Sequence, residues 1–286
     1  MGNRITHLYG IVNGTCNYIL TRMKQEGAAF DSVLTEAQRE GYAEAEPSLD
    51  VDGLDCLHKV GLLASLAHGF WVKPDRIHVE GIRHISPLDI QFASQLGYTI
   101  KLLAIVKRVA ERVQVSVYPA LIPDSHVLAS VSGVFNAVLV RGDVVGDTLF
   151  YGRGAGQDAT ASAVLSDLAD ASLDLKFGSQ HRIPPFVPHD RNGMVLDMDA
   201  VVSRYYLRLS VVDRPGVLAR IAAILGRAHI GISSVIQPEG HEGKSVPLIL
   251  MIHDARDAAM RRALSRIVLL SAVRERPVMI RVETLV

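Results

Sequence analysis

Two strand-forming runs, residues 99–109 and 112–121, are separated only by Ala110 and Glu111. A connection this short permits only an antiparallel hairpin. The edges and faces of a hairpin have to be covered by other elements, so a sheet organises the chain. Further strands are expected at residues 4–12, 77–82, 137–141 and 144–150, the last two joined by a Gly142-Asp143 turn. Helices are expected at 16–25, at 31–39 with Asp31 or Ser32 as N-cap, at 53–69, at 87–96 and at 159–171. The 53–69 segment is apolar around much of its girth and reads as a buried helix. This order predicts an α+β unit over residues 1–179, a mixed and largely antiparallel sheet with helices on one side.

The chain then changes character. Residues 180–202 carry Pro184, Pro185 and Pro188 ahead of Arg191-Asn192-Gly193, and read as an exposed linker at a domain boundary. From 203 to 286 the pattern is strand 205–211, helix 217–228, strands 232–237 and 246–253, helix 255–268 and strand 278–283. That βαββαβ order is ferredoxin-like, and the order alone fits many functions.

Charge and cysteine content narrow the partners. Lys plus Arg and Asp plus Glu each number 30 in 286 residues, so the formal net charge is zero. A nucleic-acid surface or a polybasic membrane patch is therefore not expected. Two cysteines, Cys16 and Cys56, make no disulfide framework and favour a reducing compartment. The opening Met1-Gly2-Asn3-Arg4 does not read as a leader, and apolar runs such as 60–67 are too short to span a bilayer. The cytoplasm is the expected location.

The chemistry concentrates in residues 42–59. Glu44, Glu46, Asp50, Asp52 and Asp55 lie close together, followed by Lys59. Crowded carboxylates repel one another unless something cationic or polar uses them. Asp55 and Lys59 are one helical turn apart on a single face, with the acid on the N-terminal side. A lysine held against carboxylates is a candidate proton-transfer group. The plainer alternative is a solvated helix start whose acids favour the positive end of the dipole. Gly14 and Thr15 stand at a strand-to-helix junction that could hold an anion on free N–H groups, or be an ordinary capped helix. Gly154, Ala155 and Gly156 lie in a glycine-rich loop that could press against a flat cofactor, although no dinucleotide fingerprint is present. The histidines are scattered and no metal site is expected. No Gly-x-Ser-x-Gly elbow marks a serine hydrolase. Asp213, Pro215, Gly216, Val217 and Leu218 open a helix of the second unit, suited either to an amino-acid carboxylate or to a simple helix entry.

Together these stretches resemble homoserine dehydrogenase over nearly the whole chain. The resemblance is carried by Gly10-Ile-Val-Asn-Gly-Thr-Cys-Asn-Tyr-Ile-Leu20, by Gly41-Tyr-Ala-Glu-Ala-Glu-Pro-Ser-Leu-Asp-Val-Asp-Gly-Leu-Asp-Cys-Leu-His-Lys59, and by Tyr151-Gly-Arg-Gly-Ala-Gly-Gln-Asp-Ala-Thr-Ala-Ser-Ala163. Residues 203–286 resemble an ACT domain, a small amino-acid sensor. The resemblance implies NAD- or NADP-dependent interconversion of L-homoserine and L-aspartate 4-semialdehyde, within threonine, methionine and isoleucine biosynthesis. It implies Lys59 as the proton-transfer lysine, with Asp55 and Glu44 beside it. Gly14, Thr15, Tyr42, Glu44, Asp50, Asp55 and Lys59 would contact substrate, and Gly154, Ala155 and Gly156 would lie near the nicotinamide. Threonine would bind Asp213, Pro215, Gly216, Val217, Leu218, Ser233, Val235 and Gln237 as a feedback effector. A homodimer or higher homo-oligomer is implied.

One departure is large. The family's nucleotide-binding Rossmann domain and its glycine fingerprint have no counterpart in these residues, so the polypeptide alone is expected to be inactive. The competing reading is a non-catalytic amino-acid-binding or dimerisation module.

Overall fold

The computed structural model describes residues 2–179, 194–238 and 245–285. The hairpin is present and slightly longer than its sequence pattern: β3 (Tyr98–Val109) and β4 (Arg112–Pro123) pair antiparallel from Tyr98–Pro123 to Val109–Arg112. On the free edge of β3 lies β1 (Ile5–Ile11), followed by β5 (Phe135–Gly142) and β6 (Gly146–Arg153), all antiparallel. Gly142 pairs with Gly146, so the β5–β6 turn is Asp143, Val144 and Val145 and not the expected Gly142-Asp143. Asn3 sets this loop, its Oδ1 accepting from Val145 N at 2.9 Å, while Asp143 N donates to Arg4 O at 3.0 Å.

Five helices cover one face: α1 (Gly14–Glu26), α2 (Phe30–Arg39), α3 (Ser48–Val51), α4 (Leu54–His68) and α5 (Pro87–Gln95). Neither Asp31 nor Ser32 caps α2, which starts behind Ala29 without a side-chain cap. Asp31 sits in the first turn instead, where the dipole favours a carboxylate. The expected full burial of the 53–69 helix is only half met. Cys56, Val60 and Ala64 are buried, but Leu54, Leu62 and Leu66 face outward. The next helix, α6 (Gln157–Phe177), is longer than expected at 21 residues and has no buried residue. Its Val164, Leu165, Leu168, Leu173, Leu175 and Phe177 are all exposed. The opposite face of the sheet is sealed by the turn Val127–Ser130 and by Met198, Val201 and Leu285.

The second unit has the predicted order: β7 (Val202–Val212), α7 (Val217–Arg227), β8 (Ile232–Ile236), β9 (Ser245–Arg256), α8 (Asp257–Ile267) and β10 (Val278–Val282). Both helices bury a narrow apolar stripe, Val217, Ile221 and Leu225 from α7 and Met260, Ala263 and Ile267 from α8, into a core of their own. The unit is nevertheless not a bead on an exposed string. Strand β10 pairs in parallel with β4, and one continuous sheet runs β6-β5-β1-β3-β4-β10-β7-β9-β8. The C-terminal end of the expected linker is packed as well: Val195 bridges Val113 and is buried, as are Met198 and Val201. Residues 180–193, with the three prolines, lie outside the described residues.

The free edge of β4 is shared. The expected strand over 77–82 shrinks to β2 (His78–Val79), which pairs in parallel with Ser116 and Val117. Farther along, Arg281 and Val282 of β10 take Ala120 and Leu121. Strand β2 stops because Gly81 dives onto the turn after α3. A Cβ there would stand 2.3 Å from Val51 O, and Ile82 N donates to that same oxygen at 2.8 Å.

Where β2 and β10 meet, charges are buried. Arg281 is 1% exposed. Its guanidinium donates to Asp257 Oδ1 at 2.6 Å and to Glu80 Oε2 at 2.9 Å, and stacks 4.6 Å from the Tyr118 ring centre. His78 bonds the other Glu80 oxygen at 2.7 Å. Nearby, Tyr118 donates to Glu283, which also pairs with Lys107 at 2.5 Å. A second tie joins Arg208 and Tyr206 of β7 to the buried Asp89 of α5, at 2.6 and 3.1 Å. A buried guanidinium stripped of its carboxylates is strongly unfavourable, so these pairs fix which units lie together.

Burial opposes the charge on Glu80, but hydrogen bonds from His78 and Arg281 and the Arg281 charge outweigh it and hold the carboxyl at about 2 against an ordinary 4.5. A depressed carboxylate contributes stability that is present above its unfolded pKa and lost as pH falls through the folded one. The fold should therefore lose up to about 3 kcal/mol between roughly pH 4.5 and pH 2 from this group. Urea unfolding of Glu80→Gln should be less stable than wild type at pH 7 and show a flatter pH dependence in that window.

Candidate active site

Strand β1 ends at Ile11 and delivers Val12 and Asn13 to the N-terminus of α1. Asn13 is 5% exposed and holds extended backbone (φ −125°, ψ 111°) as the N-cap. Its Oδ1 accepts from Cys16 N at 2.8 Å, which orients the amide group the other way. The Nδ2 then donates to Asp50 Oδ1 at 2.7 Å and to Asp55 Oδ2 at 2.9 Å. Asp55 Oδ2 also accepts from Lys59 Nζ at 2.7 Å, and Lys59 donates to Val12 O at 3.0 Å. One chain of contacts thus runs Lys59–Asp55–Asn13–Asp50, assembled from β1, α1, α3 and α4. Gly53 ends α3's turn and starts α4, which sets Asp55 in the first turn and Lys59 one turn on. The Lys59 side chain stays 45% exposed, so its ammonium reaches solvent while tethered.

The loop before α3 closes one side. Thr15 Oγ1 donates to Tyr42 O at 2.7 Å, and Tyr42 packs on Tyr18 with ring centres 4.8 Å apart. Glu44 is exposed, and its carboxylate has no partner among the described residues. Asp52 faces away and pairs with Arg83 at 2.6 Å. The two cysteines flank this site. Burial pushes the Cys56 thiol up to about 12 and the Cys16 thiol well above its usual range, so neither is a nucleophile.

Lys59 opens onto a cavity of about 550 Å³, walled by Leu62, Leu63 and Leu66 of α4, by Asn136 of β5 and Phe150 of β6, and by Gly154 just after β6. Of the outward leucines of α4, Leu62 and Leu66 are thus part of the wall of a cavity, while Leu54 does not line it. Asn136 packs so closely on Gly154 that a Cβ there would fall 1.9 Å from its Nδ2. Its buried Oδ1 has no hydrogen-bond partner among the described residues. A buried acceptor left unpaired beside an open cavity is suited to a ligand donor. Ala155 and Gly156 stand farther along the same loop, at the start of α6.

The start of β5, which carries Asn136, is anchored from below. Lys101 is buried, donating to Asn17 Oδ1 at 2.9 Å and to Val131 O at 2.5 Å, and Asn17 Nδ2 donates to Phe135 O at 3.1 Å. Burial, with the nearby Lys24 charge, lowers the Lys101 pKa to about 8.

In the second unit, Asp213, Pro215, Gly216, Val217 and Leu218 line a cavity of about 350 Å³ together with Gln237, whose Nε2 donates to Asp213 Oδ1 at 3.1 Å. Ser233 and Val235 do not line it. Ser233 bonds Met251 O, and Val235 is 43% exposed on the edge strand β8.

Asn13 and Asn136 are the residues that sequence reasoning passed over. Asn13 reads as an ordinary cap, and only the fold shows that two acids from another segment share its amide. Asn136 stands in a strand with no local signal. The Lys59 cavity combines apolar walls, one unpaired amide oxygen and a lysine. It does not supply a cradle for the phosphates of a dinucleotide. Gly152-Arg153-Gly154-Ala155-Gly156 follows an antiparallel edge strand and not the parallel strand that aims a helix at a pyrophosphate.

A family profile described as homoserine dehydrogenase matches residues 1–169, and one described as ACT domain matches residues 205–268. A homoserine dehydrogenase of Pseudomonas aeruginosa is 42% identical over 99% of this chain. One from Synechocystis is 44% identical over 98% of it. The chain spans 66% of the length of each of these relatives. A crystal structure of a homoserine dehydrogenase from Thiobacillus denitrificans superposes with a TM-score of 0.89 at 43% identity, covering 99% of this chain and 65% of that one. A family profile over more than half of this chain, with relatives above 40% identity along nearly all of it, places the chain in the homoserine dehydrogenase family.

Proposed function

We propose that this chain is the substrate-binding and regulatory portion of a homoserine dehydrogenase. It would interconvert L-homoserine and L-aspartate 4-semialdehyde with NAD or NADP once a dinucleotide-binding unit is joined to it. The observation that carries this reading is the Lys59–Asp55–Asn13–Asp50 chain at the mouth of an apolar cavity. A bound nicotinamide supplies hydride exchange at the substrate carbon. The chain's own residues do the rest. Asp50, Asp55 and the unpaired Glu44 present negative charge to the substrate ammonium. Lys59, oriented by Asp55 and by Val12 O, gives or takes the proton at the alcohol or aldehyde oxygen. Thr15 and Tyr42 close the pocket beside Gly14. Among the structural neighbours is an archaeal homoserine dehydrogenase in complex with NADPH, at 28% identity and a TM-score of 0.52. That complex supports a nicotinamide partner here, with Gly154 and Asn136 on the ring side.

The apolar α6 and the open side of the Lys59 cavity are the surfaces such a dinucleotide unit would cover. Residues 1–179 would form the substrate unit and 203–286 the ACT unit. The cavity at Asp213 and Gln237 would take a small amino acid, threonine as feedback effector, in a homodimer or higher homo-oligomer. Feedback then requires threonine to bind one arrangement of the assembly more tightly than another.

Calorimetric titration of the polypeptide with L-homoserine, L-threonine and NADPH tests this. Homoserine should bind and NADPH should not. Threonine binding with no homoserine binding would favour a non-catalytic sensor. Lys59→Ala should leave homoserine affinity within a few-fold. In the longer enzyme bearing the dinucleotide unit it should lower kcat by about 10²–10⁴-fold. Asn13→Ala removes a donor shared by two carboxylates and should weaken homoserine binding by about ten-fold or more. It should also cost about 1 kcal/mol of stability through the lost cap on α1, read by urea unfolding.

A further inference from the structure

We propose that Arg281, in the last strand of the ACT unit, is a positioning residue of the substrate site, acting through Glu80 on the turn that carries Asp50 and Asp55. The proposal rests on the homoserine reading given above. Arg281 is far from Lys59 in the sequence and touches none of the site's acids, yet only two packed links separate them.

The first link is the ion pair. Arg281 Nη1 donates to Glu80 Oε2 at 2.9 Å, while its Nε and Nη2 are held by Asp257 Oδ1 at 3.1 and 2.6 Å. The guanidinium is buried and its fork is filled on both sides, so it has one geometry available. Glu80 N donates to Val117 O at 2.8 Å, fixing the end of β2 as well.

The second link is steric. Immediately after Glu80, Gly81 lies against the backbone between α3 and α4, where a Cβ would be 2.3 Å from Val51 O and 2.5 Å from Asp52 Cα. No side chain fits between the strap of residues 80–83 and the turn, so they move together. Ile82 N to Val51 O at 2.8 Å and Arg83 Nε to Asp52 Oδ1 at 2.6 Å close the clamp from the other side. The clamped turn has Asp50 just before it and Asp55 just after it. Holding the strap therefore holds the spacing of the two carboxylates that share the Asn13 amide.

Arg281 belongs to the same unit as the Asp213 cavity, and its partner Asp257 starts α8. The contact thus ties the amino-acid-binding unit to the acids of the substrate site within one chain.

The test compares wild type with Arg281→Met, Arg281→Lys and Glu80→Gln, using hydrogen exchange and calorimetry with L-homoserine on the whole polypeptide. Arg281→Met should speed exchange across residues 48–56 and at Ile82, while the β3–β4 hairpin keeps its protection. Homoserine affinity should fall about ten-fold, with Arg281→Lys falling between because an ammonium cannot hold both acids in a fork. In the longer enzyme the change should appear as a raised KM with kcat kept. If Arg281→Met does not fold, Glu80→Gln carries the same comparison, since it keeps the shape and removes the charge. Unchanged exchange at residues 48–56 in a folded variant overturns the proposal. That readout stands even if the wild-type chain binds no homoserine, an outcome that would sink the functional reading and leave the positioning role to be judged on exchange alone.

Discussion

Strand β4 has a single free edge, and the architecture depends on how that edge is divided. Backbone N–H and C=O groups along a buried strand must be paired. Strand β2 satisfies Ser116 and Val117, and β10 satisfies Ala120 and Leu121. Neither segment alone is long enough to cover the edge. Their meeting point leaves Glu80 and Arg281 facing each other in the interior, beside Tyr118 and Asp257. An ion pair so placed gives little net stability over apolar packing, because desolvation offsets most of its attraction. What it does is select. A shifted β10 would leave a guanidinium and two carboxylates buried without partners, so only one register between the two units is tolerated.

A similar logic governs the acidic cluster. Glu44, Glu46, Asp50, Asp52 and Asp55 follow one another too closely to be left to water alone, and the fold deals with them separately. Asp52 is sent to Arg83, Glu46 to Ser48, and Asp50 and Asp55 to the neutral amide of Asn13, with Lys59 paired to Asp55 on the site side. An amide donor holds two carboxylates in place without cancelling their charge. The pair therefore keeps a deficit of positive charge that an incoming ammonium can fill. Glu44 is exposed at the rim, without a partner among the described residues. Had an arginine stood in place of Asn13, the acids would already be neutralised and any incoming cation would have to displace it.

Much of this was readable from the sequence because it is local. Asp55 and Lys59 contact each other as a one-turn helical spacing demands, and Ala110-Glu111 leaves no alternative to the hairpin. The βαββαβ order of the second unit follows from periodicity alone. The failures are non-local. Asn13 looks like any helix cap until α3 and α4 bring Asp50 and Asp55 to its far side. Gly81 carries no turn signal, yet it ends β2 early because Val51 stands in its way. The parallel pairing of β10 with β4 joins residues more than 150 positions apart and has no sequence signature of its own. Outward Leu62 and Leu66 on α4 depart from a buried helix because β5 and β6 leave a cavity beside them.

The continuous sheet also constrains how an amino acid bound in the second unit could affect the first. Two domains on a flexible linker can communicate only by changing how often they meet. Here β10 and β7 are strands of the same sheet as β3 and β4, and Arg208 and Tyr206 reach Asp89 at the capping box of α5. A ligand at the Asp213 cavity therefore acts on elements already bonded to the substrate unit. The distance to be bridged is that from the start of α7 across β7 to β10, not the length of a tether. Close-packed interiors transmit such displacements because there is no free volume to absorb them. Whatever ligand fills that cavity, its influence can pass through the β4 edge, through the Asp89 contacts and through Tyr206, Ile249, Met251, Val278, Ile280 and Val282, the face of β7, β9 and β10 that packs into the core of the first unit.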